Sequence, residues 1–139
     1  MPGYWLLKTE PSTYSFADLQ RDRRTTWDGV SNPVAVRHLG AMRKGHQAFV
    51  YHTGDEKAIV GIARIASDPY PDPKLGGRGD PKRVVVDLEP VAPLRNPVAL
   101  AAVKADQRFG DFVLVRVSRL SVMPVTPAQW KALLAMAGG

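Results

Sequence analysis

The sequence predicts an α+β domain in which a curved or barrel-like sheet is flanked by helices. Three observations predict it. Short apolar and β-branched runs are interspersed with capped helix starts, without the regular βαβ alternation of a parallel α/β fold. The chain has 139 residues, the size of one domain, and 45% hydrophobic against 23% charged residues is the composition of a globular core. No internal repeat, low-complexity tract or linker divides it, so residues 1–139 read as a single domain.

The elements follow in order. Tyr4 to Thr9 reads as a short buried strand ended by Glu10-Pro11. Ser15-Phe16-Ala17-Asp18 is a capped helix start. Thr25 to Trp27 forms a short strand before the Asp28-Gly29 turn. Asn32 is an N-cap with Pro33 at the first helical position, and Ala35, Leu39 and Met42 line one apolar face of a helix that closes near Lys44-Gly45. Strands Gln47 to His52 and Ala58 to Ala66 flank the Thr53-Gly54-Asp55-Glu56 turn, which predicts a β-hairpin.

Residues Ser67 to Arg83 form a long irregular stretch with Pro69, Pro71, Pro73, Pro81, Gly76, Gly77 and Gly79, the kind of loop that serves function or moves. Val84 to Leu88 is a β-branched strand and Val98 to Lys104 a short helix. Phe112 to Val117 and Leu120 to Val125 are the last strands. In the final helix Thr126 and Gln129 make a capping box around Pro127, Val125 and Trp130 a hydrophobic staple, and Gly138 the stop.

Composition excludes several functions. There is no cysteine, hence no disulfide scaffold, thiolate metal site or cysteine nucleophile. No run approaches the ~18 apolar residues of a membrane span, and the N-terminus lacks a signal-peptide pattern; a soluble, cytoplasmic protein is expected. His38, His46 and His52 have no metal-ligand spacing, and no cofactor loop or nucleophile elbow is present, so neither metal nor cofactor is expected. The 19 Lys and Arg exceed the 13 Asp and Glu by six, with a pI near 9.9. That surplus suits either a polyanion such as nucleic acid or simple solubility.

Polar and aromatic residues concentrate where strands meet loops: Lys8-Thr9-Glu10, Trp27-Asp28-Gly29-Val30-Ser31-Asn32, and Tyr51-His52-Thr53-Gly54. Aromatic faces stack on bases, and amides, hydroxyls and carboxylates read base edges. Each residue also has a plainer role. Trp5, Trp27 and Trp130 suit a core, Asn32 a helix cap, and Lys8 with Glu10 an exposed ion pair. Arg21, Arg23 and Arg24, or Lys82 with Arg83, are either solvated ends or a phosphate track.

Six separated blocks resemble the EVE domain family: LLKTEP (Leu6 to Pro11), WDGVSN (Trp27 to Asn32), YHTG (Tyr51 to Gly54), IVGIA (Ile59 to Ala63), YPDP (Tyr70 to Pro73) and RLSV-x-PVTPAQW (Arg119 to Trp130). They keep the family's order over nearly the whole chain. The resemblance implies a PUA-like small β-barrel with helices around it, related to YTH domains. It also implies a non-catalytic partner of DNA or RNA carrying a modified base. By resemblance, the ligand-binding set is Lys8, Thr9, Glu10, Trp27, Gly29, Val30, Ser31, Asn32, Tyr51, His52, Thr53, Tyr70, Arg119 and Ser121. Ser31 stands where many members have Arg, and Pro33 where many have Tyr.

An ionised Glu10 only accepts hydrogen bonds, which suits the amino group of cytosine or adenine better than a uracil carbonyl. Bases of the 5-methylcytosine or N6-methyladenine kind are therefore expected. The alternatives are a small enzyme on a modified nucleoside, with Glu10 or His52 as acid–base group, and a protein-interaction adaptor.

Overall fold

The computed structural model describes residues 3–73 and 83–138. Its framework is a mixed sheet curled into a half-barrel, with strands in the order β2-β6-β4-β3-β1-β7 and the short β5 beside β6. β1 (Tyr4–Thr9) pairs in parallel with β3 (Gln47–His52), from Tyr4 opposite Gln47 to Thr9 opposite His52. A parallel neighbour requires a crossover rather than a hairpin. Residues 10–46 supply it, carrying α1 (Phe16–Asp22), β2 (Thr25–Trp27) and α2 (Pro33–Ala41). β3 turns back antiparallel into β4 (Ala58–Ile65), as the hairpin signal predicts. β5 (Tyr70–Pro71) and β2 both pair with the start of β6 (Val84–Ala99). After α3 (Leu100–Ala105) and α4 (Val113–Arg116), β7 (Val122–Pro124) closes on β1 and α5 (Pro127–Met136) ends the chain.

Local chemistry accounts for the helix ends. Ser15 and Asp18 form a complete capping box, as do Thr126 and Gln129. The staple residues Val125 and Trp130 are both buried, and Gly138 takes the left-handed conformation (φ 88°) expected after a helix. Ala35, Leu39 and Met42 are fully buried, so the apolar face of α2 points inward as its spacing predicts.

Side chains alternate across β1 and β3. On one face, Trp130 of α5 stacks on Phe49 at 3.9 Å and Tyr4 at 4.6 Å between ring centroids. On the other, Trp5 meets His38 of α2 and His52 receives the first amide of α1. The sheet is thus covered by α5 on one side and the crossover helices on the other.

Three expectations are corrected. Residues 112–117 are not a strand: Phe112 caps the short helix α4, following a 3-10 turn at Gln107–Phe109. Their nearly continuous apolar run fits either state over so short a stretch. The β6 strand does not stop at Leu88 but continues to Ala99, and the helix after it starts at Leu100. Pro90, Pro93 and Pro97 read as breakers. They are tolerated because β2 and β5 pair only as far as Leu88, leaving one edge of this half of β6 unpaired among the described residues. The strand near the C-terminus is also shorter, Val122–Pro124 instead of Leu120 to Val125. Gly76, Gly77, Gly79, Pro81 and Lys82 of the long stretch lie outside the described residues.

One histidine ties the crossover to β1. His46 Nδ1 accepts hydrogen bonds from Trp5 Nε1 (3.1 Å) and from the Arg43 amide (3.2 Å), a role only the neutral ring can fill. Burial, then nearby Arg43, holds its pKa below the ordinary histidine value, and burial lowers His38 likewise. A depressed folded-state pKa gives stability that is complete above the unfolded pKa, about 6.5, and is lost as pH falls through the folded value. Melting curves should therefore show the wild type losing stability below about pH 6.5. A His46→Gln variant should be less stable at pH 8 but flatter with pH; an unchanged pH profile would contradict the bond assignment.

Candidate nucleic-acid interface

The parallel register brings the ends of β1 and β3 side by side, with Lys8 opposite Tyr51 and Thr9 opposite His52. Beyond them the Thr53 amide donates to Thr9 O (2.9 Å), and the Thr53 hydroxyl donates to Glu10 Oε2 (3.3 Å). Glu10 Oε1 accepts from the Ser12 amide (3.3 Å) and hydroxyl (3.1 Å). These bonds, the Ser12 amide foremost, hold the exposed carboxyl below its ordinary pKa and keep it ionised. Gly54 has φ 76° and lies against this carboxylate: a Cβ there would come within 2.9 Å of Glu10 Oε2. Only glycine meets both conditions without strain.

Lys8 anchors a second loop to the same place. Its amide donates to Ser121 O (2.9 Å) and its Nζ to Ser118 O (2.7 Å). The ammonium stands 5.6 Å from the Tyr51 ring centroid, and burial lowers its pKa. Arg119 is exposed between these two bonds, with no hydrogen bond or ion pair among the described residues. The Tyr51 ring is 3% exposed, and its hydroxyl makes no hydrogen bond among the described residues. Lys8, Thr9, Glu10, Tyr51, His52, Thr53, Arg119 and Ser121 are thus one cluster.

His52 differs from its neighbours. Nε2 accepts from the Phe16 amide (3.0 Å) and Nδ1 pairs with Glu56 Oε1 (2.7 Å), at 8% exposure. Both ring nitrogens are committed to holding α1 and the hairpin. An acid–base group needs a nitrogen free to reach its substrate, and His52 offers none.

A second cluster surrounds β2. Trp27 is 8% exposed and packs in the core, with Tyr14 edge-on at 6.4 Å. Tyr14 joins the clusters: its amide donates to Glu10 O (2.8 Å) and its carbonyl accepts from the Thr9 hydroxyl (2.6 Å). After Trp27 the chain turns through Gly29 (φ 75°), where a Cβ would meet nothing within 4 Å, then half-buried Val30 and exposed Ser31. Asn32 Oδ1 caps α2, accepting from the Val34 (2.9 Å) and Ala35 (3.2 Å) amides. That bonding uses only the oxygen, so the Nδ2 donors stay without a partner among the described residues. The cap and a ligand contact do not compete for the same atom.

Tyr70 reaches this cluster through Asp87: its hydroxyl donates to Asp87 Oδ1 (2.5 Å) and lies 3.2 Å from Thr26 Oγ1. Asp87 and Tyr14 were not among the candidates. The signal for Asp87 was a lone carboxylate inside the run Val84-Val85-Val86-Asp87-Leu88; Tyr14 gave none beyond its type. Of the suggested basic track, Arg21 pairs with Asp18 and Asp22, and Arg24 with Asp87. Arg23, Arg37 and Arg119 are exposed with no such pair among the described residues. Among the described residues no group of three or more His, Asp or Glu forms a metal site, and no helix is long and apolar enough to cross a membrane.

The model of the EVE domain matches residues 3–136. This chain belongs to the EVE domain family. Rpa0253 from Rhodopseudomonas palustris, solved by NMR, is 45% identical to the EVE domain described here; the match covers 98% of this chain and 93% of that one, with TM-score 0.91. Thymocyte nuclear protein 1 from Gallus gallus is 31% identical over 96% of this chain and 68% of its own length. The crystal structure of human THYN1 protein in complex with 5-methylcytosine-containing DNA is 28% identical, covers 99% and 98% of the two chains, and has TM-score 0.88. The PUA-like fold implied by the resemblance is the one observed.

The cap predicts a separable effect at Asn32. Asn32→Ala should cost about 0.5–2 kcal/mol of stability, whereas Asn32→Ser should retain most of it. Urea unfolding compares them; equal losses would mean that capping is not what this side chain contributes.

Proposed function

We propose that this EVE domain is a non-catalytic module that takes a modified base of the 5-methylcytosine kind out of DNA. The observation that carries the reading is the close likeness to human THYN1 solved on 5-methylcytosine-containing DNA. The chemistry of the two clusters supports it. On this reading the buried Trp27 serves as the aromatic wall, reached beside Gly29, where a Cβ would meet nothing within 4 Å. Asn32 Nδ2 supplies unused donors, and Glu10 supplies an ionised acceptor suited to an exocyclic amino group. Lys8 and Arg119 at the strand ends provide positive charge for phosphates.

Turnover is not expected. His52 has both nitrogens engaged, and Glu10 is held ionised instead of being poised as an acid near neutral pH.

Binding titrations with matched DNA and RNA oligonucleotides test the reading. The 5-methylcytosine DNA should bind more tightly than its unmodified match or a modified uracil. Affinity should fall linearly with salt on logarithmic axes, with a slope near −0.7 per phosphate contact on single strands. Trp27→Ala should weaken binding of the modified base ~5- to 150-fold, the range expected for loss of one stacking contact. Mass spectrometry should return every oligonucleotide unchanged. Preference for a modified uracil or for RNA, or a product that vanishes in Glu10→Gln, would overturn this assignment.

A further inference from the structure

We propose that Asp87 is the positioning residue of the base site, fixing Trp27 and the Tyr70 segment relative to each other. The inference rests on the base-binding reading above. Asp87 lies opposite Thr26 in the β2–β6 pair, one position from Trp27 opposite Val86. Its Oδ1 accepts from the Tyr70 hydroxyl (2.5 Å) and the Thr26 hydroxyl (3.1 Å). Its Oδ2 accepts from Arg24 Nη2 (2.8 Å) and Nε (3.2 Å). Its backbone completes the junction: the amide donates to Ser67 Oγ (3.0 Å) and the carbonyl accepts from the Ala66 amide (2.8 Å).

One residue therefore ties together both sides of β2, the exit from β4, and β5. A carboxylate has about four acceptor positions, and four donors occupy them here. Asp87 has none left for a ligand, so it acts through the residues it holds. An ionised carboxylate is required: the two hydroxyls and the guanidinium all donate, and an amide in its place would turn an NH2 toward one pair of them. The hydrogen bonds and Arg24 keep the group ionised against the opposing effect of burial.

β2 is only three residues long, and among the described residues its ladder runs to β6 alone. A ribbon that short holds little by itself, so the placement of Trp27 depends on the side-chain junction beside it. Tyr70 is used up as a donor in that junction. Its contribution is to bring the β5 segment against β2, through the same carboxylate.

The test compares wild type, Asp87→Asn and Tyr70→Phe for affinity to a 5-methylcytosine DNA oligonucleotide and to its unmodified match. Titrations run below the melting transition of each variant. Asp87→Asn should lower the ratio of modified to unmodified affinity at least about tenfold, the equivalent of one charge-assisted hydrogen bond. Its salt dependence should stay as in wild type, since no phosphate contact is removed. Tyr70→Phe should lower the ratio in the same direction by less, and it serves alone if Asp87→Asn does not fold. A wild type that discriminates, with folded variants that discriminate equally, overturns the positioning role and leaves the base-binding reading standing. A wild type that binds both oligonucleotides alike overturns both.

Discussion

The parallel pairing of β1 with β3 is the constraint on which the rest of the molecule depends. Two adjacent parallel strands cannot be joined by a tight turn, so 37 residues, 10–46, leave the sheet and return between them. That excursion carries α1, β2 and α2, and with them Trp27 and Asn32. The same register sets Lys8 beside Tyr51 and Thr9 beside His52, which places both strand ends at one edge of the half-barrel. A slip of one residue would turn Tyr4 or Phe49 away from Trp130 and expose the other face. Core packing and interface geometry are thus enforced together.

The contacts around that edge divide into two kinds. His52, Thr53, Tyr14 and Asp87 spend their polar groups on holding loops and strands to one another. Among the described residues, Arg119, the Tyr51 hydroxyl and Asn32 Nδ2 have no such commitment. Arg119 and Asn32 are exposed at loop edges, where a ligand can reach them. A rigid frame that leaves a few contacts free suits a binding site.

Much of this was legible in the sequence where a local rule decides the outcome. β1, β2 and β3 fall where their apolar runs place them, and the caps at Ser15, Asn32 and Thr126 follow from side-chain chemistry three residues or fewer away. Reading failed where tertiary context decides. Phe112 to Val117 is a short, mostly apolar run of the kind a buried strand shows, yet after the 3-10 turn at Gln107–Phe109, with Phe109 and Phe112 packed together, it winds into α4. The prolines of β6 are breakers only for a strand paired on both edges, and pairing is a property of the sheet. At the interface, residue types were readable but their partners were not. Nothing local separates His52 as a structural clamp from His52 as a proton carrier, because Phe16 lies 36 positions away. The role of Asp87 depends on three donors up to 63 positions distant.

The central claim is that a modified base enters between the strand-end cluster and the Trp27 loop. Amide and side-chain chemical shifts followed during titration with a 5-methylcytosine DNA oligonucleotide test it most directly. The account predicts that the Trp27 indole N–H, the Asn32 side-chain amide and the backbone amides of Glu10 and Gly54 shift together, while the Trp130 indole N–H stays in place. Shifts confined to the shallow surface depression at Ala102, Ala105 and Arg108, with Trp27 and Asn32 unmoved, would contradict it.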